Sequence, residues 1–194
     1  MAVWQLCNVM NWRRLIRRLI QSPCRRPRAA RVVRPTRAAR AAFVLNPKTA
    51  PYYDFYMRGA KSAAPSLGIE PVLTPIDNDA ADIERAISTF AQSTPKGGLV
   101  IPGDSTSNAY RDLIVSLAAR HRLPAVYTNE FFVTTGGLMS YGVDWLNEFG
   151  QAAFYVDRIL RGAQPRELPV QAATKFITAL NVKTAKARVA ARSP

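Results

Sequence analysis

Gly97-Gly-Leu-Val-Ile-Pro-Gly-Asp-Ser-Thr-Ser-Asn108 decides the fold. Leu99, Val100 and Ile101 form an apolar run too short for a helix and rich in branched residues, so the run reads as a buried strand. Pro102-Gly103 breaks it. Asp104 or Ser105 then offers an N-cap oxygen to a helix whose apolar face is Tyr110, Leu113, Ile114, Leu117 and Ala118. A strand that passes through a small polar loop into a helix start is where open α/β sheets take ligands. The loop lies at the carboxyl end of the strand, and the first N–H groups of the helix are unpaired.

On either side the same alternation repeats. Ala41-Ala-Phe-Val-Leu45 is an apolar strand ended by Asn46-Pro-Lys-Thr49, with Thr49 placed to cap the next helix. That helix carries Tyr52, Phe55, Tyr56, Gly59 and Ala63 as its apolar stripe, and Pro65 and Gly68 stop it. Ile69–Ile76 is a second strand, put at an edge or at a strand start by Pro71. Asp79 caps a helix with Ile83, Ala86, Ile87 and Phe90 inward. After the central strand and its helix, Pro124 leads into Ala125-Val-Tyr127. This βαβαβαβ pattern predicts an α/β fold, with a parallel sheet of order 2-1-3-4 between flanking helices. The switch point falls between strands 1 and 3, so the bordering loops are Asn46–Thr49 and Pro102–Ser107. Beyond Thr128 a short helical turn precedes an extended Leu138–Tyr141. Asp144 then caps a longer helix with Trp145, Phe149, Ala152, Val156, Ile159 and Leu160 inward. Phe176–Leu180 is a last strand and Asn181–Lys186 a terminal helical turn.

The formal charge of +14 suggests nucleic acid or an anionic membrane at first sight, but its distribution argues otherwise. Residues 1–53 hold eleven Arg and one Lys with no Asp or Glu, which leaves 15 basic and 13 acidic residues in the rest. The basicity belongs to a leader, residues 1–40, and no nucleic-acid partner is expected for the body, residues 41–188, or for the tail, 189–194. Within the leader, Trp12, Leu15, Ile16, Leu19 and Ile20 recur at helical spacing among arginines. An alternative function is therefore an interaction protein whose basic leader binds nucleic acid or an anionic membrane. After Ser22 the leader has no pattern, and its arginines interrupt any secretion-signal core. It is expected to stand outside the folded body, either as misassigned upstream sequence or as a basic tail.

Catalysis has little to work with. Both cysteines, Cys7 and Cys24, lie in the leader, and the one histidine is His121. Gly103-Asp-Ser105 is similar to the nucleophile block of one esterase class, but a serine needs a base. On a continuous helix His121 would stand about 24 Å from Ser105. No P-loop, nucleophile elbow or metal-spaced His/Cys set is present. The expectation is no enzyme, no metal and no cofactor.

Several separate strings, in order, carry a resemblance. They are Phe43-Val-Leu-Asn-Pro47, Leu117-Ala-Ala-Arg-His-Arg-Leu-Pro-Ala-Val-Tyr127, Gly136-Gly-Leu-Met-Ser-Tyr-Gly142, Tyr155-Val-Asp-Arg-Ile-Leu-Arg-Gly-Ala163, Leu168-Pro-Val170, Thr174-Lys-Phe176 and Asn181-Val-Lys-Thr-Ala-Lys186. Together they resemble the C-terminal part of ABC-transporter substrate-binding proteins with a type I periplasmic-binding fold. The resemblance implies one lobe of that fold plus a C-terminal crossover helix and strand. It also implies a small solute, an amino acid among the choices, an ABC permease as partner, and a periplasmic setting that the leader does not support. It further implies that the first lobe is missing, which leaves apolar surface open to self-association. The candidate solute contacts are Asn46, Thr49, Asp104, Ser105, Thr106 and Asn129. Asp104 suits an amine, and Thr49 or Ser105 a carboxylate or hydroxyl. Tyr52, Tyr53 and Phe131 are candidate aromatic walls.

Overall fold

The computed structural model describes residues 39–95 and 97–190. The readings of the amphipathic leader, Cys7 and Cys24 lie outside them. The described residues fall into two compact units, parted between Val126 and Tyr127.

The first unit holds β1 (Ala39–Leu45), α1 (Tyr53–Leu67), β2 (Ile69–Pro75), α2 (Ala80–Ser93), β3 (Gly98–Ile101), α3 (Ser105–Ala109) and α4 (Arg111–Arg120). It ends in β4 (Ala125–Tyr127), whose last residue opens the second unit. The strands lie in the expected order, β2-β1-β3-β4. β1 runs parallel to both neighbours, with Leu45 opposite Pro75 and Phe43 opposite Val100. Ala42, Phe43, Val44 and Leu45 are fully buried, as befits a central strand covered on both faces. Pro71 sits on β2, the edge strand, where its missing N–H costs no ladder bond.

Phe43 packs with Met57 and Ala60 of α1, and Tyr53, Tyr56, Leu73 and Val100 close around them. Asp79 accepts from the Asp82 N–H at 3.0 Å and caps α2, which buries Ile83, Ile87 and Phe90 as expected. α2 and α4 are joined by Glu84–Arg120 at 2.6 Å and by Ser88 Oγ to His121 Nε2 at 3.1 Å. His121 is thus a helix-end residue.

Five expectations need correction here. β1 begins at Ala39, inside the supposed leader, and Arg40 pairs with Glu70 at 3.3 Å and donates to Thr94 at 3.2 Å. α1 begins after Tyr52 without a side-chain cap, because Thr49 is engaged elsewhere. Its buried face is Met57, Gly59, Ala60, Ala63 and Ala64, so Tyr52 and Phe55 stay about half exposed. The helix also passes through Pro65, which stands in its last turn before Gly68 ends it. Finally, residues 105–120 form two helices parted at Tyr110, whose ψ of 24° is outside the helical well.

The second unit continues with α5 (Phe131–Thr134), β5 (Met139–Val143), α6 (Trp145–Leu160), a 3₁₀ turn (Pro165–Glu167), β6 (Phe176–Leu180) and α7 (Val182–Ala190). β5 and β6 pair antiparallel, with Met139 opposite Leu180 and Val143 opposite Phe176. Tyr127 stacks on Phe132 at 4.6 Å, and Tyr141 on Phe176 at 5.6 Å. Asn181 caps α7 by accepting from Thr184 N–H at 3.0 Å and donates to the Val133 carbonyl at 3.2 Å. The inward reading of α6 is overturned. None of its residues is buried, and its apolar side is open to solvent. Helical periodicity marks which side is apolar; it does not provide a layer to cover it.

Asp144 ties α6 to β6. Its carboxylate accepts from the Asn147 N–H at 3.2 Å and pairs with Lys175 at 2.8 Å, and its own N–H donates to the Lys175 carbonyl at 3.0 Å. The Lys175 ammonium, followed by the Asn147 N–H, holds the Asp144 carboxyl below its ordinary value. A group depressed in the fold stabilises it above the unfolded pKa and loses that contribution as pH falls through the folded one. Asp144→Asn is therefore expected to lower the melting temperature by a few degrees at pH 7. Its gap to the parent should close as pH falls below about 3.9. Thermal scans at stepped pH check this, and a gap that persists at pH 2 would contradict it.

Candidate functional site

The two switch-point loops meet through side chains. Asn46, Thr49, Asp104 and Thr106 form one hydrogen-bonded group, although about 55–60 residues separate its two halves. Asn46 is buried at the end of β1. Its Nδ2 donates to Thr106 Oγ1 at 3.1 Å, and its Oδ1 accepts from the Lys48 N–H at 2.9 Å. The Asn46 carbonyl also takes the N–H groups of Thr49 and Ala50 at 3.1 and 2.9 Å, which curls the loop back on itself. Thr49 Oγ1 lies 3.3 Å from Asp104 Oδ1 and 3.4 Å from Thr106 Oγ1.

Asp104 is 4% exposed. Its Oδ1 accepts from the Ser107 N–H at 2.9 Å, which makes it the cap of α3, and its Oδ2 accepts from Ser107 Oγ at 2.6 Å. Hydrogen bonds of this kind, with an ionised acceptor, are short and strong. Tyr52 completes the enclosure by donating its phenol proton to the Gly103 carbonyl at 2.8 Å. The loop after β1 is also held from outside by Lys48, which pairs with Asp77 at 2.8 Å. That carboxylate pushes the Lys48 ammonium above its ordinary value.

The first unit therefore brings together five of the six candidate residues, in two states of exposure. Asn46, Asp104 and Thr106 are buried and occupied in joining the loops, whereas Thr49 and Ser105 are exposed. Asn129 belongs to the second unit. It is half-buried, and its Oδ1 accepts from the Phe131 N–H at 3.3 Å. Asn129 and Phe131 line an open cavity of about 480 Å³ whose other walls include Ser140, Trp145 and Phe149. Tyr53 packs on the Phe43 cluster and is not a wall of the loop site.

Ser107 is the member that sequence reasoning missed. It is fully buried and donates twice to Asp104. The signal was present in the spacing, since Asp104-x-x-Ser107 places a hydroxyl and an N–H three residues after a capping carboxylate. Among the described residues, no group of three His, Cys, Asp or Glu side chains is placed to hold a metal ion. Among the same residues, no helix is long and apolar enough to cross a membrane.

The glycines of the Gly136–Gly142 string have physical reasons in the second unit. Gly136 has φ 109°, in the region that favours glycine. A Cβ on Gly137 would stand 2.5 Å from the Phe132 carbonyl oxygen, and one on Gly142 would stand 1.8 Å from that of Thr128.

Known structures share this fold. A conserved domain protein from Vibrio cholerae O1 biovar El Tor matches with a TM-score of 0.70 at 23% identity, over 93% of this chain and 55% of that one. The L-Trp complex of an ABC domain from Streptococcus pneumonia matches at 0.63 and 16% identity, over 77% and 50%. The ligand-free, open structure of CD0873 is that of a substrate binding protein with adhesive properties from Clostridium difficile. It matches at 0.59 and 17% identity, over 78% and 50%. The chain thus spans about half the length of these relatives. Against curated proteins of known function, no sequence match is found. The model of the family described as ABC transporter substrate binding protein matches residues 38–190, which takes in every element from β1 to α7, and the chain belongs to that family.

Proposed function

We propose that this chain contributes one wall of a solute site, formed by the loops after β1 and β3, and that the solute is small and polar, of the amino-acid class. The observation that carries this is the bridge between two loops at strand ends, made by the buried Asn46–Thr106 bond and the part-buried Thr49–Asp104 bond. A bridge of this kind fixes the loops before any ligand arrives, so less entropy is lost on binding. The exposed residues Thr49 and Ser105 carry the hydroxyls offered to a carboxylate or hydroxyl of the solute, while Asp104, buried with both oxygens occupied, holds the loops rather than meeting an amine directly. Family membership supports solute recognition rather than turnover, and delivery to an ABC permease is part of the same reading. The L-Trp bound by the Streptococcus relative supports the amino-acid class.

Affinity is expected to be low for the 194-residue chain by itself. A small ligand in a good site has roughly 70–90% of its surface buried. A chain half the length of its relatives is expected to supply about half of that wall. Half of a micromolar interaction of about −8 kcal/mol is about −4 kcal/mol, which corresponds to a millimolar constant. A titration of the labelled chain with a panel of amino acids, followed by amide chemical shifts, tests both statements. Shifts confined to residues 46–49 and 103–107 with near-millimolar affinity are expected. Shifts clustered elsewhere would reject the site, and a low-micromolar constant would reject the half-wall account.

A further inference from the structure

We propose that the apolar side of α6 is a self-complementary dimerisation surface, on which two copies of this chain pair antiparallel about a two-fold axis. The helix runs from Trp145 to Leu160 with no buried residue. Apart from Phe154, which lies on the other side of the helix, its large exposed apolar side chains are arranged symmetrically about its midpoint, between Ala152 and Ala153. In an antiparallel pair centred there, Trp145 faces Leu160 of the second copy, Leu146 faces Ile159, and Phe149 faces Val156. Each large ring thus meets an aliphatic side chain, and the two alanines meet at the centre.

Several features of the helix support this occupant. At 100° per residue these eight positions lie within one stripe roughly 140° wide. Trp145, Phe149, Ala152, Val156 and Ile159 also follow the alternating four- and three-residue spacing of a coiled-coil seam. The small central residues permit the close helix approach that such packing requires. The six large side chains are 41–85% exposed. Trp145 and Phe149 each carry about 150–250 Å² when fully buried, and the four aliphatic side chains extend the patch toward the ~800 Å² per partner of a stable interface. A monomer's largest apolar patch is usually about 300–600 Å². Outside this stripe, Asp157 pairs with Arg161 at 2.9 Å, and the exposed Phe154 ring has the Arg158 guanidinium 5.8 Å from its centre.

The test uses the full 194-residue chain in sedimentation equilibrium over a concentration series. The parent is expected to dimerise with a micromolar constant. Phe149→Glu and Val156→Lys, each alone, are expected to weaken the dimer by at least about 30-fold. Both positions are exposed, so circular dichroism and thermal unfolding should match the parent. Mixing the two variants is the decisive arm. The antiparallel register sets the new glutamate of one copy against the new lysine of the other, while the second Phe149–Val156 contact stays intact. A heterodimer that forms only in the mixture supports the register. A parent that stays monomeric at about 100 µM would overturn the proposal and leave the face to a different occupant, as would a dimer that Phe149→Glu leaves unchanged or a mixture that stays monomeric.

Discussion

Gly142→Ala is expected to destabilise the second unit by about 3 kcal/mol or more. The residue lies within β5, where Gly142 is opposite Ile177 of β6. A methyl there would sit 1.8 Å from the Thr128 carbonyl oxygen and 3.0 Å from its carbon. The obstacle is backbone, so no side-chain rotation relieves it, and either β5 or the Thr128 segment must shift. Overpacking ordinarily costs about 1–3 kcal/mol, and a clash with main chain belongs at or above the top of that range. In a chain of this size the melting temperature should fall by about 6–12 °C. Gly150→Ala is the matched control. Gly150 lies within α6 with nothing near its absent Cβ, so the same chemical change should stabilise by roughly 0.5–1 kcal/mol through helix propensity. Hydrogen exchange separates the two variants further. Gly142→Ala should raise exchange at residues 139–143 and 176–180. Equal stability of both variants would refute the steric account.

Much of the fold was legible because its signals are local. Asp79, Asp104 and Asp144 each stand before an apolar-periodic run, and each accepts from the N–H three residues on. The apolar run at Ala41–Leu45 and the proline in β2 are enough to separate a covered centre strand from an edge strand. The failures share one cause, competition from partners distant in sequence or absent from it. Thr49 has a capping residue's chemistry, but the Asn46 carbonyl takes its N–H and Asp104 takes its hydroxyl, so the turn ends before the helix begins. The break at Tyr110 is invisible to periodicity because the residues after it keep the apolar phase. Ile114, Leu117 and Ala118 are buried as though the helix were continuous. For α6 the pattern showed an apolar face correctly, but amphipathicity says nothing of which chain covers it.

The candidate site was legible in the same uneven way. Strand ends and a switch point located both loops, yet the bridge between them rests on pairings about 55–60 residues apart, which no local pattern records. That bridge gives the last prediction. Asp104→Ala is expected to destabilise the first unit by about 3 kcal/mol. It removes a helix cap, worth about 1 kcal/mol. It also strips the fully buried Ser107 hydroxyl of its charged acceptor, worth about 1.5–3 kcal/mol. The melting temperature should fall by about 6–12 °C. Thr106→Val tests the other half of the bridge. It removes the acceptor of Asn46 Nδ2 and leaves a buried amide without that partner, at a cost of about 1–3 kcal/mol. Since Thr49 Oγ1 lies between Asp104 and Thr106, the two losses should not add, and a double mutant should cost less than their sum. Ser105→Ala is the discriminating comparison. Its hydroxyl is exposed, so stability should hold within about 0.5 kcal/mol, while any amino-acid response in the loop amides should weaken. A stable Asp104→Ala variant would mean that the buried network contributes little to the fold. A Ser105→Ala variant with an unchanged response would remove that hydroxyl from the solute contacts and leave Thr49 as the exposed one in this pair of loops.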